Sequence, residues 1–185
     1  MEPQRVAAQV SLTVDQIKAA GQLADESYAT WKSVRGHYRN TPKSHRIGKL
    51  GEVGFERWLE SSEIRGSIDP AFRDPGRAGE ADVLVESIRL EIKTWDSQWW
   101  EPWGRCVTPQ QLPSIRRKAD KLVWCHWDEA RSLLTVEGWS AVDDIAALPI
   151  TMTGPNTRQV ANHQLPVNQI RSLDGLCNAP RGPLQ

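Results

Sequence analysis

Two neighbouring segments that alternate apolar and polar side chains constrain the fold of this chain more than any other feature. They are ADVLVE, at residues 81–86, and IRLEIKTW, at residues 88–95. A period of two is typical of β-strands with one buried face, and the short gap predicts an antiparallel hairpin that turns at Glu86-Ser87. The predicted core face carries only apolar side chains: Val83, Val85, Ile88, Leu90 and Ile92. Glu-Ser is not a favoured pair for a two-residue loop, and a three-residue loop would shift this register.

The opposite face of the predicted hairpin brings two carboxylates together. Asp82 lies opposite Glu91, and Lys93 follows on the same face of the second strand. Like charges in directly opposed positions destabilise a strand pair, so a divalent cation between them would remove the repulsion. Carboxylate oxygens suit Mg²⁺. The alternative is a solvent-facing strand with one Lys–Glu pair, and the spacing alone leaves both interpretations open.

The rest of the chain alternates helical and extended patterns. Helices are predicted over residues 13–34, 46–61 and about 110–118, and a short helix is predicted from Ser140 through Ala147. A polar loop at residues 36–45 separates the first two helices, and a Trp-rich loop, DSQWWEPWGR, follows the hairpin. Further strands are predicted at residues 121–127, 133–139 and 164–167. This order predicts an α/β fold with a mixed sheet flanked by helices. Gly51 and Gly54 weaken the second helix and indicate that another backbone packs closely against it.

Composition limits the class of protein. A length of 185 residues suits one domain without a stabilising metal or disulfide. Three separated cysteines favour a reducing, cytoplasmic location, and we expect neither a secretory signal nor a membrane span. The sequence lacks the glycine-rich phosphate-binding motifs, so no nucleotide cofactor is expected.

Charge is balanced overall but segregated along the sequence. Residues 32–49 contain six basic side chains and no acid, residues 52–101 contain twelve acids and six basic side chains, and residues 105–121 contain five basic side chains and one acid. Such an order suits a phosphate-binding surface with a metal site at its centre. It suits equally well solvated charge on unrelated faces.

Asp82 followed by Glu91-Ile92-Lys93 resembles the signature of the PD-(D/E)XK nuclease superfamily. The preceding helix, GKLGEVGFERWL, is similar to the first core helix of that family, and the resemblance extends from about Arg46 to Trp139. One departure is Ala81, which stands where the signature has proline. The resemblance implies a restriction-endonuclease-like core of αβββαβ order and Mg²⁺-dependent hydrolysis of phosphodiesters, with Mn²⁺ as a substitute and DNA as the expected partner.

The resemblance also implies residue roles. Asp82 and Glu91, with the Ile92 carbonyl, would hold Mg²⁺, whereas Glu52 would bind a second ion or a metal-bound water. Lys93 would position the attacking water, giving 5′-phosphate and 3′-hydroxyl products. Side chains beyond the hairpin are candidates for contacts with phosphates or bases: Gln110, Arg116, Arg117, Lys118 and Lys121.

The predicted organisation comprises an N-terminal helix and basic loop at residues 1–45, a nuclease-like core at 46–148 and a C-terminal extension at 149–185 that packs on the core. The sequence leaves open whether the chain dimerises. Two rival functions are a non-catalytic nucleic-acid-binding module and a protein-interaction module. The tryptophans of the Trp-rich loop suit either stacking on bases or packing over the edge of the core: Trp95, Trp99, Trp100 and Trp103.

Overall fold

The chain folds as a helix-flanked mixed sheet in the computed structural model, which describes residues 6–33, 41–62, 64 and 66–177. The helices are α1 (Val14–Trp31), α2 (Pro42–Ser61), α3 (Ser97–Trp103), α4 (Leu112–Lys118) and α5 (Val142–Ala146). The strands are β1 (Ala8–Ser11), β2 (Ile68–Asp69), β3 (Val83–Val85), β4 (Ile88–Asp96), β5 (Cys106–Val107), β6 (Lys121–Asp128), β7 (Leu133–Ala141), β8 (Ile150–Thr153) and β9 (Val160–Gln164). The predicted α/β class is confirmed.

Six strands form the main sheet, in the order β1-β7-β6-β4-β3-β2. β4 and β6 run parallel, whereas the other neighbours in this sheet are antiparallel. β5, β9 and β8 form a second, antiparallel sheet of three strands. The parallel pair needs a crossover, which α3, β5 and α4 provide.

The hairpin has the register that the sequence predicts. Val83 pairs with Leu90 and Val85 pairs with Ile88, so the loop consists of Glu86 and Ser87. The predicted apolar face is buried throughout. Glu86 occupies the left-handed region, at φ 54°, and both its backbone N–H and its carboxylate bond to the backbone of Ser67. These contacts hold a turn for which Glu-Ser has little local preference.

Helices cover both faces of the main sheet. On one face, α1 and α2 pack on a core that includes Leu50, Phe55 and Leu90. On the other face, α3, α4 and α5 pack on a core that includes Trp124 and Ile145. The central strand β6 is therefore apolar on both sides, as expected for a strand that helices cover from above and below.

Close packing of α2 on β4 and β7 depends on glycine, although side chains lie against the two glycines rather than the backbone that the sequence predicts. A Cβ added to Gly51 would lie 1.7 Å from Thr94 Oγ1, and one added to Gly54 would lie 2.6 Å from Leu134. The helix axis therefore approaches the sheet more closely than an alanine would allow. This approach carries the next residue, Glu52, into the interior.

Several predicted boundaries are wrong. α2 begins at Pro42, inside the predicted loop, because Thr41 forms a capping box with Ser44. The Trp-rich segment is mostly helical rather than a loop, since Asp96 caps α3. The last strand is β9, which ends at Gln164, whereas Val167–Gln169 form a 3₁₀ turn. β1 has no counterpart in the prediction and pairs with β7.

Parts of two predictions lie outside the described residues: residues 36–40 of the basic loop and residues 178–185 of the C-terminal extension. In the C-terminal segment that is described, Leu165, Ile170 and Leu176 are buried against the rest of the chain. Among the helices described, none has the length and apolarity needed to cross a membrane.

Candidate active site

One cleft contains all four acid and lysine residues that the sequence predicts to act together. It lies between α2, the carboxyl-terminal half of β4, α3 and the small sheet, and has a volume of about 420 Å³. Glu52, Asp82, Glu91 and Lys93 line it. α2 supplies Glu52, Asp82 directly precedes β3, and β4 supplies Glu91 and Lys93.

Asp82 is fixed just before the start of β3. Its Oδ2 accepts a hydrogen bond of 2.8 Å from the backbone N–H of Ile92, so the carboxylate lies beside β4 at the point where the ladder ends. Burial and the neighbouring Glu91 charge raise its pKa to about 6, against the opposing effect of nearby lysines. The predicted electrostatic cost of two adjacent carboxylates is therefore present in the structure.

Glu91 is the most strongly paired acid of the site. It is buried, with Oε1 at 2.8 Å from Lys93 Nζ and Oε2 at 2.7 Å from Lys118 Nζ. Burial opposes ionisation, but the two lysines outweigh it, and the pKa of Glu91 is lowered. The ionised form of Glu91 is therefore favoured, and its carboxylate lies between two ammonium groups.

Glu52 reaches the cleft from α2. Its Oε2 lies 2.6 Å from Lys49 Nζ, one helical turn away, and both side chains are mostly buried. Burial and the Asp82 charge raise the pKa of Glu52 to about 8, and Lys49 only partly offsets them. Burial and the Asp82 charge therefore both favour the protonated form of Glu52.

Lys118 is the residue of the candidate site that the sequence placed wrongly. The sequence predicts that it contacts phosphate, whereas the structure brings it from the end of α4 onto Glu91. The neighbouring charges of Glu91 and Asp82 raise its pKa against the effect of burial. No spacing in the sequence connects α4 with the hairpin, so only the crossover between β4 and β6 creates this contact.

The remaining candidates for contact with nucleic acid lie around the cleft rather than in it. Arg116 is exposed and pairs with Asp143, and Gln110 is an exposed residue beside the cleft-lining Gln111. Arg117 lines a smaller cavity of about 250 Å³, which Lys118 also lines. Lys121 requires a correction: it is buried, and its ammonium donates hydrogen bonds to the carbonyls of Gly175 and Leu176. It cannot contact phosphate while it holds the C-terminal segment.

The basic and acidic blocks of the sequence meet in ion pairs. Lys43 pairs with Asp96, at 2.9 Å, and Arg73 pairs with Glu56. These contacts join the first basic block to the acidic block and neutralise charge within the latter. At these positions the ion pairs favour solvated surface charge over a phosphate-binding surface, because the basic side chains already pair with acids of the same chain.

The donor set fits a hard divalent cation that retains water. Carboxylate and backbone carbonyl oxygens are the ligands that Mg²⁺ uses, often with only one or two carboxylates from the protein. Burial and, second, a neighbouring carboxylate charge raise the pKa values of Asp82 and Glu52, and a cation held between these groups would oppose both effects. Within the described residues, however, no three His, Cys, Asp or Glu side chains converge as a ready-made metal centre. A cation that binds Glu52 would therefore have to displace Lys49, and one that binds Glu91 would have to displace Lys93 or Lys118.

Comparisons of the chain with protein-family models, with curated proteins and with solved structures gave no match.

Proposed function

We propose that the protein is a metal-dependent nuclease of the PD-(D/E)XK type that hydrolyses phosphodiester bonds in DNA. The observation that carries this proposal is that Glu52, Asp82, Glu91 and Lys93 all line one cleft. The hairpin register supports the required geometry.

The order of elements supports a restriction-endonuclease-like core. α2 is followed by β2, β3 and β4, then by α4 and β6, which corresponds to αβββαβ once α3 and β5 are treated as insertions. β4 and β6 are parallel neighbours at the centre of the sheet. The candidate acids occupy the hairpin and the preceding helix, as that core requires.

Asp82, Glu91 and the Ile92 carbonyl would hold Mg²⁺, and Glu52 would bind a second ion or a metal-bound water. When bound, the metal would polarise the scissile phosphate and lower the pKa of a coordinated water. The Ile92 N–H holds Asp82 Oδ2 at 2.8 Å and so orients this carboxylate before any ligand arrives. Gly51 allows α2, which carries Glu52, to pack closely on Thr94 of β4.

Lys93 would orient the attacking water and stabilise charge that develops on the phosphate oxygens. Its ammonium lies 2.8 Å from Glu91 Oε1 and its side chain lines the cleft. Lys118 contacts the other oxygen of Glu91, at 2.7 Å. It would keep Glu91 ionised when Lys93 turns towards the substrate.

A second candidate function is nucleic-acid binding without turnover. The specific observation in its favour is that lysines contact both oxygens of Glu91, as they would in a purely structural ion cluster. The two candidates differ in whether a cation can displace one of these lysines.

Cleavage assays distinguish them. Wild-type protein would be incubated with supercoiled, linear, single-stranded and branched DNA, with Mg²⁺, Mn²⁺ or EDTA. We expect metal-dependent cleavage of at least one substrate, its loss in Asp82→Ala, and a decrease of about 10²–10³-fold in Lys93→Ala, because that variant lacks only the group that acts on water and charge. Lys18→Ala is the control, since Lys18 is an exposed lysine of α1 that does not line the cleft.

Binding to the same DNA, measured with Ca²⁺, should be nearly unchanged in Lys93→Ala. Equal cleavage by wild type and Lys93→Ala would show that the assigned site is not the active one. Tight binding without cleavage of any substrate would favour the second candidate.

A further inference from the structure

Two tryptophans of α3 face the cleft rather than the core. α3 carries Trp99, Trp100 and Trp103, of which only Trp100 is buried. Trp99 and Trp103 are one helical turn apart, with ring centroids at 4.9 Å and an angle of 31° between the ring planes. Trp99 remains 36% exposed. Trp99 and Trp103, called the aromatic pair below, therefore line the cleft, and packing in the core does not explain their position.

The aromatic pair stands on a rigid support. Trp100 packs against Trp95 and His126 on the sheet, with centroid distances of 6.3 and 5.2 Å. The guanidinium of Arg105 lies 5.0 Å from the Trp100 ring and donates a hydrogen bond of 2.7 Å to the Trp100 carbonyl. These contacts fix α3, so a ligand that stacks on Trp99 and Trp103 does not have to order them first.

The aromatic pair and the acid cluster share the cleft. β4 carries Glu91 and Lys93 and leads directly into α3, so that Trp99 follows Lys93 by six residues. Polar side chains of Thr108, Gln111 and Asn162 also line the cleft. The volume of about 420 Å³ lies in the range of small-ligand sites, roughly 300–1000 Å³. A space of this size suits a ligand as large as one nucleotide.

We propose that the substrate is DNA with an unpaired segment, and that the cleft binds one of its bases stacked on Trp99 and Trp103. This inference rests on the proposed function for the position of the scissile phosphate, beside Asp82, Glu91 and Lys93. A base in a duplex presents only its edges in the grooves, whereas an unpaired base presents a flat face to an aromatic ring. Stacking accepts every base, so binding is tolerant of sequence.

The test compares two substitutions of one residue. Trp99→Leu keeps an apolar side chain but loses the ring, whereas Trp99→Phe keeps a stacking face. Affinity would be measured by fluorescence anisotropy with a labelled single strand of about 12 nucleotides, its blunt duplex and an RNA of the same sequence, with Ca²⁺ in place of Mg²⁺. Circular dichroism and thermal melting would establish that both variants are folded.

We expect Trp99→Leu to bind the single strand at least about fivefold more weakly than wild type, as the loss of one base–aromatic stack predicts, and Trp99→Phe to lose less than about twofold. Duplex affinity should be the same in all three proteins. A parallel loss with RNA supports the aromatic platform and identifies RNA as a second source of the unpaired base.

Three results would overturn the inference: unchanged single-strand affinity in Trp99→Leu, an equal loss with single strand and duplex, or no binding of single strands by wild type. None of them overturns the proposed nuclease, since metal-dependent cleavage of duplex DNA that requires Asp82 would remain. Conversely, a loss of affinity in Trp99→Leu for the single strand alone, without cleavage of any substrate by the wild type, would support stacking on the aromatic pair and refute the proposed nuclease.

Discussion

At the scale of single residues, burial sets the protonation states of the site. Glu52 and Glu91 are both buried, but one has a raised pKa and the other a lowered pKa. The difference follows from their partners, since Lys49 alone contacts Glu52 whereas Lys93 and Lys118 both contact Glu91. Two substitutions test this difference without requiring activity.

Glu52→Gln should stabilise the metal-free protein as pH rises. The pKa of Glu52 is 4.5 in the unfolded reference and about 8 in the fold. The folded chain therefore binds more protons across that window, and the free energy of unfolding of the wild type falls as pH rises through it. Glutamine does not titrate, so the free energy of unfolding of the variant should exceed that of the wild type by an amount that grows from about pH 4.5 to 8. This difference should reach on the order of 1–4 kcal/mol and stay constant at higher pH.

Urea denaturation in EDTA between pH 4 and 9 measures this difference. The Asp82 contribution, between its reference value of 3.8 and about 6, is common to both proteins. Parallel stability curves for wild type and Glu52→Gln would contradict the raised pKa.

Lys118→Met should destabilise the protein at pH 7, because it leaves one oxygen of the buried Glu91 carboxylate without its partner. Loss of a buried charge partner costs about 1–3 kcal/mol, more if the charge cannot be relieved. Arg116→Met is the matched control on the same helix: its ion pair with Asp143 is exposed and should be worth less than about 1 kcal/mol. Chemical denaturation of both variants gives the comparison, and equal losses would mean that Lys118 does not pair with Glu91.

At the scale of elements, the contact between α2 and β4 decides whether the acids meet. Gly51→Ala should destabilise the protein by about 1–3 kcal/mol, since the added methyl would meet the Thr94 side chain. Gly48→Ala is the matched control on the same helix, because nothing lies within 4 Å of its added Cβ. That variant should be more stable than wild type, by roughly 0.5–1 kcal/mol, through helix propensity.

The same two variants connect packing with function. Displacement of α2 by Gly51→Ala would move Glu52 away from Asp82, so metal-dependent cleavage should fall at conditions where the variant is fully folded. Thermal melting and cleavage rates at low temperature separate the two effects. Wild-type stability in Gly51→Ala would refute the close contact with β4.

At the scale of the whole molecule, a cation that binds only the folded site should raise the melting temperature. Saturation at about 100 times the dissociation constant adds about 2.7 kcal/mol, which for a chain of this size corresponds to roughly 5–10 °C. Calorimetry of the wild type with and without Mg²⁺ measures the shift, and Asp82→Ala should show none. An equal melting temperature for the wild type in Mg²⁺ and EDTA would contradict the metal site.

Sequence periodicity by itself determined the local part of the fold. Alternation over residues 81–95 gave the hairpin, its register and its buried face, because the side chains of a strand alternate wherever the strand lies. The stripe of α2, with Gly51 and Gly54, likewise predicted close packing of that helix. The capping box at Thr41 and Ser44 was not predicted, and the predicted helix began four residues too late.

Only the tertiary structure decided which distant residues complete the site. Lys118 reaches Glu91 because α4 leads into β6, which lies parallel to β4, and no local pattern encodes that neighbour. Contacts with Ser67 hold Glu86 in a conformation that its own propensity disfavours. The sequence of α3 does not show which of its tryptophans packs in the core; in the structure Trp100 does, whereas Trp99 and Trp103 line the cleft. Local periodicity reports which face of an element is buried, whereas convergence on a cleft depends on the packing of elements far apart in the chain.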